Sequence, residues 1–142
     1  VFLKDTCCDY ELIRERLKAV EGTPLKIFNA NAQSWFDSFC HGSAGYNGVM
    51  ANFHPDLYKW AYDHKDSDPE KAQLVAHFLT TAAMIEMRAY PVSAKYHQNL
   101  LDVPMSLVTR SADAAKLDKN ARGEVESLIA MENYVRKQLG IL

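Results

Sequence analysis

Lys4 is the residue of this chain whose setting points most directly to covalent chemistry. It follows the apolar run Val1, Phe2 and Leu3 and precedes the polar Asp5 and Thr6. An apolar run that ends on polar residues reads as a buried strand entering a loop. The lysine then lies at the carboxyl end of the strand, where parallel α/β folds collect their active sites. A free lysine amine is protonated at neutral pH, so a nucleophilic one needs desolvation or a cationic neighbour before it can attack a carbonyl carbon. A barrel interior would supply that desolvation. A strand-terminal lysine is also what a solvated surface charge looks like, and spacing alone leaves both readings open.

Other residue types suggest less. Cys7, Cys8 and Cys40 make an odd number without metal-ligand spacing or a disulfide framework, which fits a reducing compartment and a cytoplasmic location. His41, His54, His64, His77 and His97 show no zinc-type pairing with cysteines or carboxylates, so they read as ordinary helix or loop residues. Neither a metal nor an organic cofactor is expected. Gly42, Gly45 and Gly48 precede or lie inside a strand instead of opening a helix, so close backbone approach explains them better than a phosphate loop. Trp35, Phe36 and Phe39 fall at helical spacing and read as core; Glu11, Arg14, Glu15, Arg16 and Lys18 read as a solvated helix face.

The elements that must position these residues alternate. Asp9 stands where a helix N-cap belongs, and Tyr10, Ile13, Leu17 and Val20 recur at helical spacing before Gly22 and Pro24 stop the helix. Residues 25–28 form a second apolar run that ends in Asn29, Ala30 and Asn31, followed by the Trp35–Phe39 helical face. A third cycle reads as a strand over 46–52 and a helix opened by Pro55. Parallel neighbours need long crossovers, so this order predicts a parallel α/β sheet or barrel. Beyond it the pattern is helical: Asp68 and Pro69 open a helix with Leu74, Phe78, Ala82 and Ile85 on one stripe, and Tyr90 and Pro91 break it. A shorter helix covers 92–101, and a tail from Lys119 places Val125, Leu128, Glu132, Val135 and Leu139 in register before Gly140.

Composition sets the outer limits. The chain has 142 residues, 16 Lys and Arg against 18 Asp and Glu, a net charge of −2, and 48% apolar content. That is enough apolar material for a packed core and gives no case for intrinsic disorder. Balanced charge removes a composition-level case for nucleic acid or an anionic membrane as partner, and no stretch is long and apolar enough for a transmembrane span. The start inside an element, with no Met and no signal-peptide pattern, leads us to expect further chain upstream.

Four ordered segments carry a family resemblance. Residues 2–9 (Phe-Leu-Lys-Asp-Thr-Cys-Cys-Asp) resemble the segment around the Schiff-base lysine of the dihydrodipicolinate synthase and N-acetylneuraminate lyase family, pyruvate-dependent aldolases built on a (β/α)8 barrel. Residues 25–33 resemble that family's seventh strand and its polar loop. Residues 42–58 are similar without a gap to its eighth strand and following helix, with Gly42, Gly45, Ala51, Asn52, Pro55 and Leu57 as matching positions. Residues 90–95 resemble the Pro-and-Lys motif of its C-terminal helical region. Tyr46 and Asn47 depart from the family, standing where a small and an aliphatic residue are usual.

The resemblance implies an α/β fold: about strands six to eight of a TIM barrel over 1–66 and a C-terminal helical region over 67–142. It implies that Lys4 condenses with pyruvate or another 2-keto acid, which then reacts with an aldehyde. Thr6 would stand beside the substrate, Asn31 and Asn52 would line the mouth, and backbone groups at Tyr46 and Asn47 would face the imine. The first five strands, with the carboxylate-binding and proton-relay residues, lie outside this sequence, so an N-terminal half of the barrel is the expected partner. A homo-oligomer, dimer or tetramer, is implied as well. A noncatalytic half-barrel fragment that associates with a partner chain is the alternative.

Overall fold

The computed structural model describes residues 1–141. Strand and helix alternate at the outset: β1 (Phe2–Asp5), α1 (Tyr10–Ala19), β2 (Lys26–Asn29), α2 (Trp35–Cys40) and β3 (Gly45–Tyr46). Asp9 caps α1 by accepting from the Leu12 amide at 2.8 Å, as its type and position predict. The three strands form one parallel sheet in the order β1-β2-β3, with helical crossovers between neighbours. Lys4 pairs with Phe28 and Phe28 with Gly45; one residue on, Asp5 pairs with Asn29 and Asn29 with Tyr46.

Because side chains alternate across a strand, these two rows face opposite ways. Ile27 packs with Ile13 and Leu17 of α1 in a buried cluster, so the odd-numbered positions of β1 and β2 look toward the helices. Asp5 and Asn29 are buried on that side. Phe2, Lys4 and Lys26, on the other face, are exposed.

The third strand is shorter than the expected 46–52. After Tyr46 the Asn47 amide still bonds to the Asn29 carbonyl at 2.8 Å, and the chain then curls into a 3-10 turn over Val49–Asn52. Gly48 permits the curl: a Cβ there would meet the Tyr46 hydroxyl at 2.1 Å and the Ala30 carbonyl oxygen at 2.6 Å.

The chain forms two compact units, Val1–Ala51 with Pro55–Thr80, and Asn52–His54 with Thr81–Leu142. The first adds α3 (Pro55–His64) and α4 (Pro69–Ala82, whose last two residues belong to the second unit). Trp35 is its aromatic centre, in edge contact with Phe36, Phe39 and Tyr58. The expected stripe on α4 is corrected. Ala72, Val75, Ala76 and Leu79 are buried, whereas Leu74 is 67% exposed.

The second unit holds a 3-10 turn at Ala83–Met87, α5 (Val92–Leu100) and α6 (Lys119–Leu139). Its apolar cluster joins Val92 of α5 to Leu117 and to Ala121 of α6, with Tyr96 and Leu107 against it. Asp118 caps α6 by accepting from the Ala121 amide, and Gly140 ends it in the left-handed region at φ 70°. Among the described residues, no helix is long and apolar enough to cross a membrane.

Candidate active site

The carboxyl ends of β1 and β2 are built on buried polar groups. Asp5 accepts from the Cys7 amide at 2.8 Å and from Arg16 Nη1 at 2.7 Å. Burial raises the Asp5 carboxyl, but interactions with the Cys7 side chain, with Arg16 and with the Cys7 amide, together with the guanidinium charge, outweigh it, and its pKa is lowered below the ordinary aspartate value. Asn29 donates to the hydroxyls of Ser34 at 3.0 Å and Ser38 at 3.1 Å and accepts from the Asn31 amide at 2.8 Å. An ionised carboxylate and a carboxamide thus tie the ends of β1 and β2 to the loops after them.

The reading of Glu11, Arg14, Glu15, Arg16 and Lys18 as a solvated face holds for Glu11, Glu15 and Lys18, which are exposed, and is corrected for the two arginines, which are half-buried. Arg16 turns inward to Asp5, and Arg14 makes a two-point pair with Asp37 of α2 at 2.9 and 2.5 Å. The sequence carried one visible signal for the buried polar anchors: Asp5 and Asn29 stand at the same place in two successive strand ends. Ser34 and Ser38 carried none, since their neighbours look like any helix start.

Each residue singled out from the sequence has a definite place. Lys4 lies in one row with Phe28 and Gly45. Phe2 meets Phe28 edge-on with centroids 5.6 Å apart, so aromatic rings flank the lysine row on the same face. The lysine itself is exposed. The buried strand expected over the opening residues is corrected: β1 is an edge strand here, with Phe2 65% and Leu3 45% exposed, so this chain's own atoms do not supply the desolvation expected of a barrel interior. Thr6 is exposed directly after it.

Asn31 is occupied locally. Its Oδ1 accepts from the Ser34 amide and hydroxyl, both at 2.9 Å, and its Nδ2 donates to Gln33 Oε1 at 2.7 Å, so it helps to start α2. The Tyr46 ring turns to the helix side, stacked on Tyr58 at 4.2 Å and 15°. Asn47 is exposed at the strand end. Asn52 belongs to the second unit, where its Nδ2 donates to the Tyr90 hydroxyl at 3.3 Å and its carbonyl accepts from Gln98 Nε2 at 2.6 Å.

Gly45 is crowded by an aromatic ring and not by the backbone expected of it, whereas Gly42, at φ 94°, has nothing within 4 Å. A Cβ on Gly45 would sit 2.5 Å from the Phe28 ring, so the ring fills the space a side chain would take. Chemically, the arrangement offers a primary amine at the end of a parallel strand, beside an aromatic ring. The next two strands end in register with it, Asn29 beside Asp5 and Tyr46 beside Asn29. Such an amine can add to a ketone once it is walled off from water. Among the described residues, no group of three or more His, Cys, Asp or Glu side chains is arranged to hold a metal ion.

No protein-family model and no curated protein matches this chain. Solved structures do. A monomeric dihydrodipicolinate synthase variant aligns with a TM-score of 0.80 at 16% identity, over 95% of this chain and 45% of its own length. A protein from Pseudomonas aeruginosa described as a dihydrodipicolinate synthetase aligns with a TM-score of 0.77 at 19% identity, over 92% of this chain and 45% of its own. Another dihydrodipicolinate synthase gives 0.67 at 18% identity, covering 99% and 46%. The resemblance first met in four sequence segments therefore holds for the fold. The chain spans about 45% of the length of the structures it matches, consistent with a C-terminal half.

Proposed function

We propose that this chain carries the lysine-bearing portion of a class I lyase or aldolase, which joins pyruvate or a related 2-keto acid to an aldehyde or cleaves such a product. The observation that supports it best is the position of Lys4 in a parallel sheet of dihydrodipicolinate synthase-like fold. In this reading β1 to β3 are strands six to eight of a (β/α)8 barrel, 1–66 is the barrel portion and 67–142 the helical region. The face that carries Phe2, Lys4, Phe28 and Gly45 becomes the barrel interior. The missing walls come from an N-terminal half, in a preceding stretch of chain or a separate one, and that half turns an exposed amine into a desolvated one.

The chemistry then follows from the amine. Lys4 Nζ adds to the keto carbon, the carbinolamine loses water, and a protonated imine forms. This imine withdraws electrons, so a proton leaves C3 and the enamine carbon attacks the aldehyde carbonyl; hydrolysis returns the free amine and the product. In this reading Thr6 stands beside the substrate, Asn31 and Asn52 line the mouth, and Tyr46 and Asn47 face the imine by their backbone. The reading includes no metal or organic cofactor, a cytoplasmic location, and a homo-oligomer of two or four.

Borohydride reduction in the presence of pyruvate tests it. In the assembled protein, hydride adds to the imine carbon and leaves pyruvate on Lys4 as a secondary amine, located by peptide mass. Lys4→Arg abolishes the adduct. An assembled protein that stays unmodified, or one modified equally well after Lys4→Arg, overturns the proposal. The exposed edge of β1 favours one rival, a noncatalytic fragment that only docks on a partner chain. That rival expects assembly with Lys4 unmodified.

A further inference from the structure

The second unit contains a buried ionic cluster that the proposed chemistry does not use. His54, His97 and Glu132 are each fully buried, and Arg136 of α6 is nearly so. His54 Nδ1 lies 2.7 Å from Glu132 Oε1, and His97 Nε2 lies 3.0 and 3.1 Å from the two carboxylate oxygens. Arg136 Nη1 donates to Glu132 Oε2 at 3.2 Å. A carboxylate only accepts, so the proton of His54 must sit on Nδ1 and one proton of His97 on Nε2. Both ring protons point at Glu132, and the three groups close on one another, not on a metal ion.

The partners come from three places. Glu132 and Arg136 belong to α6 and His97 to α5, while His54 ends the short segment Asn52–His54. That segment interrupts the first unit in sequence yet packs with the second. It is held again at Asn52 by Gln98 and Tyr90, and Phe53 meets the His97 ring edge-on at 5.0 Å.

We propose that Glu132 is the keystone of a charge-dependent latch that holds the segment Asn52–His54 on α5 and α6, and that discharging this carboxylate releases the segment. The substrate role of Asn52 rests on the preceding proposal; the latch does not. Among the described residues, the charged or titratable groups that face Glu132 are His54 from the segment, His97 from α5 and Arg136 from its own helix. Burial raises the Glu132 carboxyl, but hydrogen bonds from the two histidines and electrostatic attraction to both rings outweigh it and bring its pKa down to about 2. The latch is therefore complete above the ordinary glutamate range and opens as pH falls toward 2.

Amide exchange on the 142-residue chain tests this, corrected for intrinsic rates. Between pH 5 and 3 the amides of 52–54 and 93–98 should lose at least tenfold in protection, while those of β1 and β2 change less. Glu132→Gln should bring the same local loss at neutral pH. Glu126→Gln, which alters an exposed carboxylate of the same helix bonded to Tyr96, should bring none. Protection that is unaltered by Glu132→Gln, or a uniform loss across both units, overturns the proposal. Should Glu132→Gln fail to fold, nitrogen-15 NMR of the unmutated chain decides. The latch requires the Nδ1-H form at His54 and an Nε2-H proton at His97, and the opposite assignment at either ring overturns it. None of these readouts involves Lys4 or pyruvate, so failure here is distinct from failure of the lyase reading.

Discussion

At the scale of single residues, the site depends on where a side chain is absent as much as on where one is present. Gly45 leaves the space that the Phe28 ring occupies beside Lys4, and Gly48 lets the chain turn under the Tyr46 ring. Phe28 has room to rotate, since it is half-buried, but the Ala30 carbonyl near Gly48 is backbone and Tyr46 is stacked on Tyr58. Gly48→Ala should therefore destabilise the chain by about 1–3 kcal/mol, the usual cost of an overpacked position, read from a shift in urea midpoint. A midpoint equal to that of the unaltered chain would show that the turn can relax. Lys4 poses the opposite problem: its register is fixed, yet its surroundings are open. Residue type and strand position made it a candidate; the burial that would lower the cost of losing its proton depends on atoms beyond this chain's own.

At the scale of elements, local signals placed the helices well wherever a cap is chemical. Asp9 before α1 and Gly140 after α6 do what their types predict, and Tyr90 and Pro91 separate two helical segments as expected. Asp118 adds a cap of the same kind, its carboxylate accepting from the Ala121 amide at 2.8 Å. Asp118→Ala should cost about 1 kcal/mol, and Gly140→Ala, which forces a Cβ into the left-handed region, a similar amount. Thermal unfolding followed by far-UV circular dichroism measures both, and Gly123→Ala, an open position inside α6 with ordinary φ, serves as the comparison that should not destabilise. Elements whose limits depend on contacts were less legible. The third strand stops at Tyr46 because the hydrogen bonding partner it needs, β2, has already ended at Asn29. The buried stripe of α4 is set by which neighbours it meets, and apolar spacing alone pointed to the wrong row.

At the scale of the whole molecule, two buried carboxylates contribute to the response to acid. Asp5 and Glu132 both have lowered pKa values, so each stabilises the folded state above the ordinary carboxyl range and loses that contribution as pH falls. For Glu132, a fall from 4.5 to about 2 corresponds to roughly 3 kcal/mol of stability. Urea midpoints should hold steady from pH 7 to 5 and drop between pH 4.5 and 2, and Glu132→Gln should flatten that limb; an unchanged limb would show that other groups set it. The alternation of strand and helix, the parallel sheet, and the aromatic core around Trp35 were readable from the chain itself. Periodicity and capping are local, and a 142-residue chain with this much apolar content has few ways to satisfy them. The pairing of Asp5 with Arg16, the network under Asn29, and the meeting of His54, His97 and Glu132 were decided only in three dimensions. Glu132 stood on the apolar stripe of its helix as a visible oddity, but nothing local could say which histidines it would meet. A buried charge must find its partners wherever folding brings them, and those partners lie 35 and 78 residues away.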